Sequence, residues 1–494
     1  MGKEYILAID AGTTSSRSII FDKKGDIVAV AQQEFRQIYP ENGWVEHDPL
    51  EIIDTQIKTI KRVIEKAAIM PSQIVAIGIT NQRETVVAWD KTTGKPLYNA
   101  IVWQCRRTAP LCQKMKTEGI EKIIQKKTGL VVDPYFSATK IKWLLDNVDA
   151  VKSAYKSGNL SVGTIDSWLL YNLTEGKEHK TDFSNASRTM LLNLEKLAWD
   201  KDLLDYFGFS EEILPFVQNS NSDFGLLKKE ILGEQIPITG ILGDQQAALF
   251  GQNCFDFGEA KVTYGTGSFI LVNVGPKPIY SANNLLTTVG WVVNDQPIYA
   301  IEGSVFIAGA AIQWLRDNLK IINNSTETEH YACEVDSSDG LIFVPAFTGL
   351  GAPYWKPDVR GMIYGITRDT DRRHIVRAAL EGIAFSIKDV IEGIIEDSKR
   401  ELKEVKADGG ASANNFLLQF QSDILGIPIE RPKIIETTAL GAAMMAGYKR
   451  GLFDSFDEIR KFYQVDRKFF PSDNQQNAFQ GYQQWKKIIN KIIS

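Results

Sequence analysis

Ile6-Leu7-Ala8-Ile9-Asp10-Ala11-Gly12-Thr13-Thr14-Ser15-Ser16-Arg17-Ser18-Ile19-Ile20-Phe21-Asp22 is the stretch on which the fold turns. An apolar, β-rich run stops at an acidic residue, a block of small and hydroxylated residues follows, and Arg17–Asp22 runs back as a second strand. Lys23-Lys24-Gly25-Asp26 then supplies turn chemistry before a third strand over Ile27–Phe35. The same order returns later in the chain. Ala260–Thr263 reads as a strand, Tyr264–Ser268 as a Gly-rich turn and Phe269–Val274 as a returning strand. This echo reads as an internal repeat of two related halves, although echoes of six residues also arise by chance.

Outward from these hairpins the pattern alternates. Asp48-Pro49 opens a helix, with Asp48 as N-cap and Ile52, Ile53, Ile57, Ile60 and Ile64 along one face. Ile74–Ile79 is a buried strand and Thr85–Asp90 another, with polar Thr80–Glu84 between them. Helices are expected over Pro134–Asn147, Thr164–Thr174 and the tail from Asn474. Ile375, Ala379, Ile383, Ile387, Ile391 and Ile395 recur every four residues, the signature of a long helix with one apolar stripe. Strand groups alternating with helices define an α/β class. No Pro-rich or Gly/Ser-rich linker interrupts the chain, so the junction between halves is short. It falls around Gly251–Gly258 and divides the chain into residues 1–252 and 253–494.

Composition excludes several functions. The 494 residues carry 56 Lys+Arg against 61 Asp+Glu, a net charge of -5, with no basic block able to neutralise a nucleic-acid backbone. Four cysteines without a CxxC pair and four histidines without metal spacing support neither a disulfide framework nor a zinc site. The first apolar run is closed by Asp10, too early for a secretory leader, and no apolar window is long enough to insert in a membrane. A cytoplasmic protein is expected.

Three turns could hold phosphate. In Asp10–Ser15 the backbone amides and the hydroxyls of Thr13, Thr14 and Ser15 can converge on an anion beside Arg17, and Asp10 is a hard oxygen ligand suited to Mg²⁺. A plain hairpin with a polar tip fits the same residues. Gly265-Thr266-Gly267-Ser268 and Gly409-Gly410-Ala411-Ser412-Ala413-Asn414 are the other two. Neither GxxxxGK[ST] nor GxGxxG occurs, so a nucleotide would be held by something other than a P-loop or a Rossmann turn. Asn81-Gln82-Arg83-Glu84, between two strands, offers a donor fork and an acceptor for vicinal hydroxyls, or else a surface ion-pair turn. Asp244, after Ile238–Leu242, reads either as a helix N-cap or as the acceptor of a proton from an attacking hydroxyl.

Taken in order, these segments resemble the FGGY carbohydrate kinase family. The likeness runs through Asp10–Arg17, Gly78–Thr85, Asn99–Trp103, Tyr135–Asn147, Gly243–Leu249, Thr263–Gly267, Phe347–Trp355, Gly361–Glu381 and Asp408–Asn415, essentially the whole chain. It implies an actin-like, ribonuclease-H-like ATPase fold of two α/β domains around an interdomain cleft. It also implies transfer of the γ-phosphoryl group of ATP to the 3-hydroxyl of glycerol, the first step of glycerol catabolism, with Mg²⁺ as cofactor. By this resemblance Arg83, Glu84, Tyr135, Asp244 and Gln245 bind glycerol, and Trp103 and Phe269 wall its carbon backbone. Thr13, Thr14, Ser15 and Arg17 meet the phosphates, while Thr266, Gly309, Gln313, Gly410 and Asn414 hold the nucleotide. Asp10 organises Mg²⁺ and Asp244 is the catalytic base. A homodimer or homotetramer is the assembly it implies.

The chain departs from the family between Phe224 and Pro237. Some members carry there a Gly-rich, Arg-containing loop for fructose 1,6-bisphosphate, and others a phosphorylatable His; Gly225–Ile236 has neither and reads as an exposed, variable loop. Two alternatives stand beside the resemblance. One is a kinase of the same family for another small polyol or ketose, and the other an actin-like ATPase switch without a small-molecule acceptor.

Overall fold

The computed structural model describes residues 5–494. Its first sheet is built from the opening hairpins. β1 (Tyr5–Ala11) pairs antiparallel with β2 (Ser15–Asp22), which pairs with β3 (Ile27–Glu34). α1 (Pro49–Ala67) covers one face. It starts where the sequence indicates, with Pro49 in its first turn and Asp48 Oδ1 accepting from the Leu50 amide at 2.9 Å. β4 (Ile74–Asn81) then lies parallel to β1, and β5 (Pro237–Gly243) parallel to β4. α2 (Asp244–Gly251) follows directly.

The second sheet repeats this plan. β6 (Ala260–Tyr264), β7 (Ser268–Gly275) and β8 (Gln296–Val305) run antiparallel in succession. α3 (Arg372–Ser398) packs on this sheet, and β9 (Val405–Asp408) lies parallel to β6 as β4 does to β1. α4 (Thr437–Lys449) comes later in the chain, after β9. The echo in the sequence is therefore a structural duplication.

Parallel pairing in register determines where polar groups collect. Asp10 on β1 lies opposite Thr80 on β4, and Gly243 on β5 opposite Asn81, so three strands deliver their carboxyl ends to one edge. Thr263 pairs with Asp408 at the equivalent edge of the second sheet.

The two helices α2 and α4 pack against one another between the sheets, and α4 also lies across β1, β4 and β5. The approach is close enough to exclude side chains. A Cβ on Gly78 would stand 2.1 Å from the Ala442 carbonyl oxygen, and one on Gly441 1.9 Å from that of Ala247. A separate apolar cluster including Leu249, Phe250, Trp291, Leu440 and Met444 fills this layer. The two domains are thus joined through a packed seam and not only through the chain.

Two expectations change. α3 is more than a one-stripe helix: Val376, Leu380, Ala384 and Val390, off the stripe, are also buried, because the sheet and the helices Asn415–Leu425 and Gln475–Ile493 surround it. The segment 225–236 is no exposed loop. Gly225–Leu226 adds an edge strand beside β5, Lys229–Leu232 forms a helical turn, and Leu227, Ile231 and Ile236 are buried in the first domain's core. Its apolar residues are too widely spaced to read as one element, yet each reaches the core beneath it.

Candidate active site

The tip of the first hairpin is a closed turn. The Gly12 amide donates to the Ser15 carbonyl at 3.0 Å, and the Phe35 amide to that of Thr14 at 3.2 Å. Gln82 Nε2 donates to the Gly12 carbonyl and Gln37 Nε2 to that of Thr13, while His47 joins these two glutamines. The hydroxyls are partly engaged. Thr13 Oγ1 accepts from Trp103 Nε1 at 3.0 Å and Ser15 Oγ from Gln32 Nε2 at 2.9 Å, which leaves each O–H proton able to donate. Thr14 is exposed.

Asp10 sits behind this turn. Burial lifts its carboxyl to about 6 against the opposing charge of Arg17, with Glu436 and Asp244 adding to the rise. Arg17, in register with Asp10 on β2, approaches it at 3.7 Å and also pairs with Glu436, the residue just before α4.

The polar segment after β4 is not a surface turn. Asn81, Gln82, Arg83 and Glu84 are all buried, and Glu84 takes a left-handed backbone (φ 60°) that turns the chain sharply. The Arg83 guanidinium is the hub. Its Nε lies 3.0 Å from Asp244 Oδ1, its Nη1 donates to Glu302 Oε2 and Gln246 Oε1, and its Nη2 to Glu302 Oε1 at 3.0 Å and Tyr135 Oη at 3.4 Å. Arg188 completes a buried network, donating to Glu84 Oε1 at 2.6 Å and Glu302 Oε1 at 3.0 Å. Burial raises the Glu84 carboxyl, opposed by Arg188 and then Arg83. Burial acts the same way on Glu302, but there Arg188 and Arg83 together prevail and hold it down at about 2.

Aromatic rings bound this cluster. Trp103 meets Tyr135 edge-on at 5.6 Å and Phe269 at 6.3 Å between ring centres. Lys140, buried, donates to the carbonyls of Pro134, Tyr135 and Phe136 and so fixes the backbone beneath the Tyr135 ring. Asp244 is not an N-cap. Gly243 caps α2 and Asp244 is its first residue, so the carboxylate is available to Arg83 and the cleft, with 29% of its side chain exposed.

A cavity of about 590 Å³ opens in the second domain. Thr266, Gly309, Gln313, Gly410 and Asn414 all line it, together with Arg316, Ser325 and His330, which the sequence reading did not single out. Two of the five have packing duties as well. The Asn414 side chain caps the helix that follows it and donates to Thr328, and a Cβ on Gly309 would meet the Gly265 carbonyl oxygen at 2.6 Å.

Sequence reasoning missed Glu302, Arg188, Glu436 and Lys261. The signal for Glu302 was present, a lone acid between Ile301 and Gly303 in an otherwise apolar strand. Nothing local marks Arg188.

Two duplicated α/β domains, each presenting a turn at the carboxyl end of its first strand, form the actin-like, ribonuclease-H-like kinase fold. The chain matches the model of the FGGY family of carbohydrate kinases over both parts, the N-terminal domain at residues 5–251 and the C-terminal domain at 260–450, and it belongs to this family. It is 57% identical to glycerol kinase of Thermoanaerobacter sp. (strain X514) over 490 residues, covering 99% of each chain. It is 54% identical to glycerol kinase 2 of Thermotoga maritima, also over 490 residues and 99% of each. The crystal structure of Plasmodium falciparum glycerol kinase with ADP superposes with a TM-score of 0.92 at 40% identity, covering 100% of this chain and 99% of that one.

Proposed function

We propose that the protein transfers the γ-phosphoryl group of ATP to the 3-hydroxyl of glycerol, giving sn-glycerol 3-phosphate and ADP. The observation that carries this reading is the cluster of buried Arg83, Glu84 and Tyr135 with half-buried Asp244 beside the Trp103 and Phe269 rings. Small size makes glycerol hard to select by shape, so each hydroxyl has to meet a specific donor or acceptor, and a built polar cluster rejects analogues that leave its groups unpaired. An ATPase switch has no use for such a cluster. The relatives named above as glycerol kinases support the choice of acceptor.

In this reading Asp244 is the base. Its Oδ1 is held by Arg83 Nε and the backbone N–H of Gln245, while Oδ2 makes no hydrogen bond to the protein among the described residues and is left to accept the hydroxyl proton. Arg83, Glu84, Tyr135 and Gln245 orient glycerol, and the two rings exclude water that would otherwise compete as acceptor. Thr13, Thr14, Ser15 and Arg17 meet the phosphates of the nucleotide while the group passes to glycerol. Thr266, Gly309, Gln313, Gly410 and Asn414 hold the nucleotide. Among the described residues no group of three or more His, Cys, Asp or Glu that could hold a metal is gathered. A Mg²⁺ ion that arrives on the phosphates would need only one or two protein carboxylates, and Asp10, disfavoured as an anion chiefly by its burial, fits that part. The ion, when bound, neutralises charge on the phosphate oxygens.

The domain division at 1–252 and 253–494 belongs to the same proposal, since transfer requires two bodies that can close around both substrates. So do a homodimer or homotetramer, checked by light scattering, and a cytoplasmic location; no helix among the described residues is long and apolar enough to cross a membrane. The deciding experiment is ADP release with glycerol, xylulose, erythritol and dihydroxyacetone as acceptors. Glycerol is expected to give the highest kcat/KM, and a better rate with any other of the four would overturn the assignment.

A further inference from the structure

Lys261 is fully buried on β6 of the second domain and has no part in the functions assigned above. Its Nζ donates to Gln245 Oε1 at 2.5 Å and to Thr263 Oγ1 at 2.8 Å, and it makes no ion pair among the described residues. A buried ammonium whose hydrogen bonds go only to neutral oxygens is unusual, because desolvating it is costly unless it is paired. Burial lowers its pKa to about 8, opposed first by Asp408 and then by Glu302 and Asp244 at longer range. A position this unfavourable for a cation points to a use for its charge.

We infer that Lys261 is a positioning residue that fixes the direction of the Gln245 side-chain amide, so that only its NH₂ end can face the acceptor substrate. The physical argument is one of donor and acceptor identity. The two ends of a glutamine amide have nearly the same shape, and an unconstrained one can turn either way. An ammonium has three donors and no acceptor, so the end of Gln245 that meets it must be the carbonyl oxygen. Nε2 is then turned away, and it makes no hydrogen bond to the protein among the described residues. Gln245 therefore offers the substrate donors only, while its neighbour Asp244 offers an acceptor.

That polarity has a consequence for the reaction. A hydroxyl oriented by Gln245 receives a hydrogen bond on its oxygen and keeps its own proton for an acceptor, the sense required if Asp244 is to remove one. Gln245 is on α2 of the first domain and Lys261 on β6 of the second, so the polarity is correct only when the two domains are seated against each other. The inference rests on the glycerol-phosphorylating reading, with Gln245 at the acceptor.

The test is a double-mutant cycle with K261M, Q245L and K261M/Q245L, assayed with glycerol at saturating ATP, beside the parent. Methionine replaces an unpaired buried charge by an apolar chain of similar length, so the fold should be retained. K261M is expected to raise the glycerol KM about tenfold and to change kcat by less than about threefold, the size of a lost hydrogen bond to substrate. In the double variant KM should be no higher than in the worse single variant, because Lys261 acts through Gln245. An unchanged KM in K261M, or effects that multiply, would overturn the inference. Should K261M not fold, Q245E gives the second reading. With Lys261 in place one carboxylate oxygen stays on the ammonium and the other replaces the NH₂ group, so KM should rise as in Q245L, whereas parent-like glycerol binding would show that amide direction is irrelevant. A parent enzyme inactive on glycerol would instead remove the reading beneath it.

Discussion

Replacing Glu302 by Gln removes the charge that, among the described residues, ties both Arg83 and Arg188 of the first domain to the second, with little change of shape. The structure sets the size of the effect. The carboxyl is held at about 2 against an ordinary 4.5, because Arg188 and Arg83 outweigh the burial that would raise it. At 1.36 kcal/mol per pKa unit this corresponds to about 3 kcal/mol. The folded pKa is the depressed one, so this stability is fully present above about pH 4.5 and fades as pH falls toward 2; the amide has none of it at any pH. Removing one partner of a buried pair independently costs about 3–5 kcal/mol, since a guanidinium remains in the interior. Glu84 and Asp244 stay beside the two arginines, which favours the lower end. With about 2.1 cal/mol/K of unfolding entropy per residue, a chain of this length loses roughly 3 °C in Tm for that destabilisation if it unfolds as one unit. Scanning calorimetry at pH 7 reads the shift. Glycerol KM provides the functional readout and should rise about tenfold as the Arg83 fork loosens. The gap in Tm between parent and variant should narrow as pH drops from 4.5 toward 2. An unchanged Tm together with an unchanged KM would refute the reasoning, because neither fold nor site would then depend on the pair.

Asp244→Asn should lower kcat by about 10²–10⁴-fold while calorimetry still detects glycerol binding; near-parent turnover would remove Asp244 as the base. Asp10→Asn should raise Tm and lower activity together. Its folded pKa of about 6 lies above the ordinary 3.8, so the ionised carboxyl costs stability that grows from pH 3.8 to 6 and stays lost above, and the amide escapes this cost. A fall in Tm at pH 7 would contradict that sign. Gly441→Ala should destabilise by about 1–3 kcal/mol or more, since its Cβ meets the Ala247 backbone, which cannot rotate away; chemical denaturation curves that overlay the parent's would refute the tight seam.

The repeat, the helix starts and the strand ends were legible because they rest on local chemistry. The hydroxyl-rich tip after Asp10 and the Asp48-Pro49 pair announce a turn and a helix within a few residues of themselves. Glu84 was legible as part of a polar tetrad, although its left-handed backbone was not. Arg188 and Glu302 were invisible as partners, being separated by 114 residues and brought together only where the two domains meet. Lys261 was hidden for a different reason: a lysine in a strand reads as a solvated edge position, and its burial depends on α2 lying against the second sheet. Segment 225–236 failed as a prediction of exposure, and the burial of α3 beyond its stripe went unread, because neighbours remote in the sequence cover them.

Local charge explains why the chain's overall balance carries so little functional information. Around the acceptor cluster three cations, Arg83, Arg188 and Lys261, are set against three carboxylates, Glu84, Asp244 and Glu302. The pocket is dense in charge yet near neutral, which suits an uncharged polyol that has to be oriented by hydrogen bonds and not attracted as an ion. At the first hairpin the balance differs, since Arg17 stands alone against Asp10 and Glu436. Polyphosphate approaching that edge without a counter-ion would meet a net negative charge. In the proposed reaction a cation brought by the nucleotide would offset that charge, with Asp10 as the residue to hold it and Arg17 as the donor to phosphate. The two ends of the transfer path thus need opposite electrostatics, and the sequence meets both with a net charge of only -5.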